Sequence, residues 1–258
     1  MGTSPVSHPV IEVEQPSDND KLWRYMDLSK YVSLLKSQAL YFCPLTALDD
    51  PFEGASPDNI SYEGITRSQL DRGEISKPSF DTLTNLASLA RPVLLGCTYV
   101  NCWHLSSFES EAMWKLYSAS ADSVCIQTTS KSLRNQLPDT ANFGKVRYID
   151  FATYQLPEPS LAYDPAFLKR QSFEHEKEVR AVIVDYPIVH SKRDAIRHLT
   201  SLNKTGKYIA VDVQELIARV HINPLAQSWF ADLVGDITNR YGYQFEISQS
   251  ALSQKPKY

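Results

Sequence analysis

The sequence predicts a single α+β domain, and three observations carry that reading. Short runs rich in β-branched and aromatic residues recur along the chain, Val93-Leu94-Leu95-Gly96-Cys97-Thr98-Tyr99-Val100 being the longest. Between them lie stretches whose apolar residues repeat at helical spacing. Neither an internal repeat nor an interior linker divides the 258 residues, so the elements share one core. Composition sets the boundaries. The Pro-rich, polar stretch 1–21 reads as a disordered tail, 22–252 as the domain, and 253–258 as a C-terminal tail.

A first strand is expected at Leu22-Trp23-Arg24-Tyr25-Met26. Asp27 or Ser29 is placed to cap a helix in which Tyr31, Leu34 and Leu35 share one face. Leu40-Tyr41-Phe42-Cys43 is a second strand ended by Pro44. Leu48-Asp49-Asp50-Pro51-Phe52-Glu53-Gly54 is a turn-rich loop, and 56–91 is polar and helical in part. A long strand is expected over 93–103. Ser106 with Glu109 then forms a capping box for a helix carrying Met113, Leu116 and Tyr117 on one face. A strand at 124–129, a helix from Ser130 and a strand at 144–149 follow. Residues 156–164 form a Pro-containing loop, and a short helix at 167–173 leads into a strand that opens at Glu176. The last part alternates again: strand 208–211, helical turn 214–218, and strand 220–223 stopped by Pro224. A helix over 225–241 with Gly242 as its stop and a strand at 244–248 complete the order.

Charge and cysteine usage narrow the class. A formal net charge of −4 gives no global attraction to nucleic acid. No apolar run approaches the length that spans a bilayer, so no membrane partner is expected. Met1-Gly2-Thr3-Ser4-Pro5-Val6 lacks the basic and apolar regions of a secretory signal, and Val6 stands where a myristoylation motif needs Ser or Thr. Cys43, Cys97, Cys102 and Cys125 lie in or beside apolar segments without CxxC spacing, which favours reduced thiols over a zinc site or disulfides. A cytoplasmic protein with no resident metal is the expectation.

The densest chemistry is Glu174-His175-Glu176-Lys177-Glu178-Val179-Arg180, running into Ala181-Val182-Ile183-Val184. On a strand, Glu176, Glu178 and Arg180 point one way while Val179, Ala181 and Ile183 point the other. Two carboxylates and a guanidinium on one face either form a local ion pair or serve a site.

Four segments together resemble one family: Leu22-Trp23-Arg24-Tyr25; Leu40-Tyr41-Phe42 with Asp50-Pro51-Phe52-Glu53; Cys102-Trp103-His104-Leu105-Ser106 with Met113-Trp114-Lys115-Leu116-Tyr117; and His175-Glu176-Lys177-Glu178-Val179-Arg180. In this order they look like the bacterial domain of unknown function 2971 family, with the stretch from Val220 to Ser250 similar as well. Asp49 departs from the family pattern, where Asn is commoner, yet both residues support the same turn. That family name carries no activity.

An Arg on a first strand, a Ser at a strand-to-helix junction and a Glu-x-Glu opening a late strand also resemble the ADP-ribosyltransferase superfamily. The resemblance implies an α+β domain with a central, largely antiparallel split β-sheet flanked by helices, bringing Arg24, Ser106 and Glu178 into one cleft. It implies NAD as co-substrate, with Arg24 on the pyrophosphate or ribose, Ser106 orienting Glu178, Glu178 as the catalytic carboxylate and Glu176 positioning the acceptor. Tyr25, Tyr41, Trp103 or Tyr117 would stack on the nicotinamide, and Glu53 and Arg180 would contact substrate. Such a carboxylate stabilises the oxocarbenium-like transition state of nicotinamide–ribose cleavage.

Other readings of the same residues stay open. Arg24 is placed to pair with Glu53 or Glu178 as a scaffold ion pair, and Ser106 has a complete account as a helix cap. Trp103, Trp114 and Tyr117 fit a buried face, and Asp50 fits a turn. Asp50, Glu53, Glu176 and Glu178 would together suit a divalent-metal nuclease or phosphodiesterase with His104 or His175 as base. Against that, Arg180 stands where restriction-type nucleases place a lysine. A non-catalytic module binding a nucleotide or a protein is the third reading. The macromolecular acceptor and the oligomeric state do not follow from the residues.

Overall fold

Two strands buried on both faces, Thr98–Leu105 (β3) and Glu178–Val184 (β8), form the centre of the molecule. The computed structural model of the chain describes residues 13–57, 62–118, 120–154, 165–185, 205–254 and 256. Around the two strands lies a nine-stranded, mostly antiparallel sheet that also contains Lys21–Asp27 (β1), Ala39–Pro44 (β2), Ser123–Thr129 (β4), Asn142–Lys145 (β5), Lys207–Ala210 (β9), Arg219–Ile222 (β10) and Glu246–Gln249 (β11). Within it β10 and β11 run parallel. A small parallel pair, Arg147–Ile149 (β6) with Leu168–Arg170 (β7), stands beside it.

The sheet is split. His104 stands opposite Glu178 of β8 on one edge of β3 and opposite Trp23 of β1 on the other. Four residues earlier, Val100 stands opposite Val182 of β8 and Cys43 of β2. β1 and β2 therefore share one edge of β3 and diverge from it as two wings, β11-β10-β4-β1 and β9-β2. Asn101 sits in the crotch and is fully buried. Its Nδ2 donates to the Tyr41 carbonyl at 2.9 Å, and its Oδ1 accepts from the Trp103 indole N–H at 2.6 Å. The first bond satisfies a backbone carbonyl at the fork, and the second a buried indole N–H.

Helices cover both faces. Leu28–Ser37 (α1) buries Tyr31, Leu34 and Leu35, as its spacing predicts, and ends at Gln38 in the left-handed conformation with its N–H on the Leu34 carbonyl. With Ser130–Asn135 (α5), Val213–Leu216 (α6) and Ser228–Arg240 (α7) it packs on one sheet face, around Trp103, Val179 and Ile126. Glu111–Tyr117 (α4) covers the other face, where Met113 and Trp114 meet Trp23, Tyr25 and Cys125. Tyr62–Asp71 (α2) and Lys77–Gly96 (α3) occupy much of the stretch expected to be helical in part. Among the described residues no helix is long and apolar enough to cross a membrane. All four cysteines are unbridged.

Several elements differ from their local signals. The strand expected from 93 begins at Thr98, because α3 continues through Pro92 to Gly96; a short apolar run suits either state. The helix expected at 167–173 is strand β7 between the 3-10 turns Pro165–Phe167 and Gln171–Glu176. The strand expected at 144–149 divides at Val146, whose N–H still donates to the Glu178 carbonyl in the β5–β8 register; beyond it β6 leaves β8 and pairs with β7. The loop expected at 156–164 lies outside the described residues.

Part of the stretch expected as a tail, 13–20, lies against the domain. Lys145 N–H donates to the Glu14 carbonyl at 2.8 Å, Gln15 reaches the Phe143 carbonyl at 2.5 Å, and Arg134 pairs with Asp18 at 2.9 Å. Gly144 makes room for this: a Cβ there would meet Val13 Cγ1 at 2.3 Å.

The fork depends on Asn101, so Asn101→Ala leaves the Trp103 N–H and Tyr41 carbonyl short of a buried partner. We expect a loss of roughly 1–3 kcal/mol in urea unfolding; unchanged stability would show that the crotch is held by packing alone.

Candidate active site

A cavity of about 520 Å³ runs through the fork. Pairing register places Trp23, Tyr25, Cys102, His104 and Glu178 on one face of the sheet and Arg24, Met26 and Trp103 on the other, since opposed residues share a face and neighbours alternate. Residues of both faces line the same cavity. Arg24 and Glu178 thus face one space from opposite sides of the sheet, through the gap that β1 and β2 leave.

The acidic side is built by five buried charged residues. Arg180 donates to both oxygens of Glu53, at 2.7 and 2.8 Å, to Glu178 at 2.8 Å and to the Ala166 carbonyl at 2.6 Å. Lys169 lies 2.5 Å from Glu176 and 3.4 Å from each of Glu178 and Glu53. Three carboxylates against two cations leave one formal negative charge. Glu178 opens strand β8, whereas Glu176 ends a 3-10 turn and Lys177 between them is left-handed at φ 42. The two acids therefore do not follow strand alternation; a turn delivers them to Lys169.

Burial alone raises the Glu178 carboxyl, but the Arg180 and Lys169 charges and hydrogen bonds from Arg180 and Cys102 bring it down to about 2. Burial works against the charges of Lys169 and Arg180 too, and the carboxylates outweigh it, holding both above their ordinary values. Burial and the adjacent Glu176 and Glu178 push the Tyr117 phenol up, so it stays protonated. Tyr148, pushed up by burial and Glu178, accepts the Glu178 N–H at 2.8 Å.

On the other side Arg24 presents a cation with no carboxylate partner among the described residues. Its guanidinium lies 5.8 Å from the centroid of the Trp103 ring and makes one long contact, 3.4 Å, to the Tyr41 carbonyl. Burial lowers its pKa, the expected mark of a cation short of counter-charge. Lys30 and Ser33 of α1 line the same side. Tyr41 and Tyr208 stand at the cavity with their rings 5.3 Å apart, and both are exposed.

Most of the sequence-predicted site residues line this cavity: Arg24, Tyr25, Tyr41, Trp103, Tyr117, Glu176 and Glu178. Three do not. Ser106 lies outside it and has no bond to Glu178; its Oγ accepts the Phe108 N–H at 3.1 Å. Nor does it cap α4, because Ser110 takes that place by accepting the Met113 N–H, four residues further on. Glu53 and Arg180, expected to touch substrate, are a buried pair beneath Glu178. Tyr117, expected on a buried face with Leu116, is half-exposed, and Trp114 takes the inner position. Asp50 pairs with Arg170 at 2.7 Å. The four acids considered for a metal site thus divide, and three of them already converge on cations of the chain.

Lys169 and Tyr148 were missed. Lys169 lies in a segment read as helix, where no periodicity marks it as inward, and nothing local links Tyr148 to a strand thirty residues later. Comparison with protein-family models, with curated proteins and with solved structures finds no match.

Glu53→Ala removes two hydrogen bonds from the buried Arg180 guanidinium and leaves it Glu178 and the Ala166 carbonyl, so the variant is expected to lose roughly 1–3 kcal/mol in chemical denaturation. Glu178 also sets an acid limit. Its folded pKa of about 2 lies below its unfolded value near 4.5, so its stabilisation is complete above the latter and is lost as pH falls through the former. The melting temperature of wild type should fall more steeply across that window than that of Glu178→Gln; parallel curves would show that folding does not lower the Glu178 pKa.

Proposed function

We propose that the cavity binds a nucleotide and that the protein is an ADP-ribosyltransferase-like enzyme or NAD glycohydrolase, cleaving the nicotinamide–ribose bond of NAD. The observation that carries this reading is the polarity of the cavity. One side offers a guanidinium with no carboxylate partner among the described residues, and the other an acid cluster with one net negative charge.

Each part of NAD has a counterpart there. The pyrophosphate suits Arg24, whose planar fork matches phosphate oxygens, with Lys30 adding charge on the same side. The flat rings suit the aromatic lining of Trp103, Tyr25, Tyr41 and Tyr117. Cleavage develops positive charge on the ribose, and an ionised carboxylate held in place beforehand stabilises it without reorganising. Glu178 meets that need because its acidity keeps it charged and its ties to Arg180 and Lys169 keep it still. Glu176 stands next to it for the acceptor. Ser106 has no part in this mechanism. The resemblance to the bacterial domain of unknown function 2971 family and a cytoplasmic location belong to the same proposal, the latter supported by four unbridged thiols.

The engagement of one Glu178 oxygen by both Arg180 and Lys169 favours a second reading, a module that binds the nucleotide without cleaving it. Two variants and two measurements separate the readings. Glu178→Gln should keep NAD affinity and lower nicotinamide release by on the order of a hundredfold. Arg24→Ala breaks no ion pair, so its melting temperature should stay near that of wild type while NAD affinity falls roughly tenfold or more. Binding without release in wild type would favour the module; neither binding nor release would sink both readings.

A further inference from the structure

We infer that His104 is the proton acceptor of this cavity, taking through Nε2 the proton of the water or acceptor hydroxyl that attacks the ribose carbon. The inference rests on the NAD-cleaving reading above.

The imidazole is fixed with one nitrogen bound and the other open. His104 is 7% exposed, and its Nδ1 lies 2.6 Å from the Glu176 carbonyl oxygen. A carbonyl only accepts, so Nδ1 carries the hydrogen and Nε2 the lone pair. Nε2 has no partner among the described residues, and the side chain lines the cavity. Strand register sets His104 directly opposite Glu178, on the same face of the sheet.

The groups around the ring come from four elements. Glu176, His175 and Lys177 belong to the 3-10 turn and its cap, Glu178 to β8, Tyr25 to β1 with its ring 6.4 Å away, and Tyr117 to α4. Burial first, then Lys177 and His175, lower the imidazole pKa, while its bond to the Glu176 carbonyl and the Glu176 charge oppose them. The outcome is a neutral ring near pH 7, the form a general base needs.

The step balances within the proposed reaction. The bond between ribose carbon and nicotinamide nitrogen breaks, and its electron pair leaves with nicotinamide, which departs neutral. The oxygen of water or of a hydroxyl bonds to that carbon and loses its proton to Nε2. The resulting imidazolium stands beside Glu176 and Glu178, whose cluster carries the spare negative charge.

His104→Asn tests this, because it keeps an N–H donor near the Nδ1 position and removes Nε2. In the full-length protein, nicotinamide release should fall by roughly 10²–10⁴-fold, with NAD affinity unchanged. Wild-type kcat/KM should decline as pH drops through the lowered imidazole pKa; that limb should vanish in the variant, and added imidazole should restore part of the rate. An active wild type whose variant keeps its rate and its acid limb overturns the role of His104 alone. A wild type that releases no nicotinamide overturns the cleaving reading and this role together. Should the variant fail to fold, ¹⁵N shifts of the wild-type imidazoles decide: an unprotonated Nε2 on His104 at neutral pH supports the role, and an Nε2–H tautomer overturns it.

Discussion

Arg180 carries its guanidinium into the fully buried centre of the sheet, and much of the architecture around the cavity answers that one charge. A cation there survives only with counter-charges and hydrogen bonds to replace water. Glu53 supplies two oxygens from the 48–54 loop, Glu178 one from its own strand, and Ala166 a carbonyl from a 3-10 turn, while Nε has no partner among the described residues. Three segments distant in sequence therefore meet at a single side chain. Lys169 extends the arrangement to Glu176 and brings β7 against the same point. Such a network contributes less to net stability than its bond count suggests, because most of its attraction offsets desolvation. What it does supply is fixed position: carboxylates at the cavity wall that cannot swing away.

Arg24 is the informative contrast. It is the same residue type on the other side of β3, half-buried at the cavity, yet the chain gives it an aromatic face and one long carbonyl contact in place of a carboxylate. The fold has acids nearby, but the sheet stands between them and Arg24, and they are already engaged by Arg180 and Lys169. The fork is what permits this allocation. Had β1 and β2 continued as neighbours on β3, the sheet would separate the two sides completely. Because they diverge, the cation and the acids face one space without neutralising each other.

The legible part of the molecule was its local part. β1, α1, β2, β4 and the start of α5 follow from alternation, helical spacing and caps a few residues away, and the structure has them where those signals stand. The candidate residues at strand ends were legible as well, because charge at the mouth of an apolar strand is conspicuous. What failed were contacts across the chain and contests between equal local signals. Arg180 and Glu53 are 127 residues apart, and nothing near either one announces the pair. A scaffold arginine reaching Glu53 was anticipated at position 24, whereas Arg180 was read either as a partner of the acids beside it or as a substrate contact. Ser106 and Ser110 are both good caps, and the helix starts at the second because Trp114 must turn inward against Tyr25, their rings 4.9 Å apart. The Glu176–Glu178 spacing suggested convergence through strand alternation, yet the left-handed Lys177 achieves the convergence by a turn.

That turn also explains why His104 belongs with the acids. A strand continuing back to Glu176 would have kept its carbonyl in the ladder, pointing along the sheet. The 3-10 turn instead leaves the Glu176 carbonyl free to receive Nδ1–H, while Lys177 supplies the carbonyl that accepts the Leu105 N–H at 2.9 Å and closes the ladder. One departure from regular strand geometry thus orients an imidazole, directs a carboxylate toward Lys169 and keeps the sheet paired at its end. Backbone irregularity of this kind costs on the order of 1 kcal/mol or more and persists where the surroundings over-determine it. Here they do, since Lys169, His104 and the β3 ladder each hold one group of the segment 176–178.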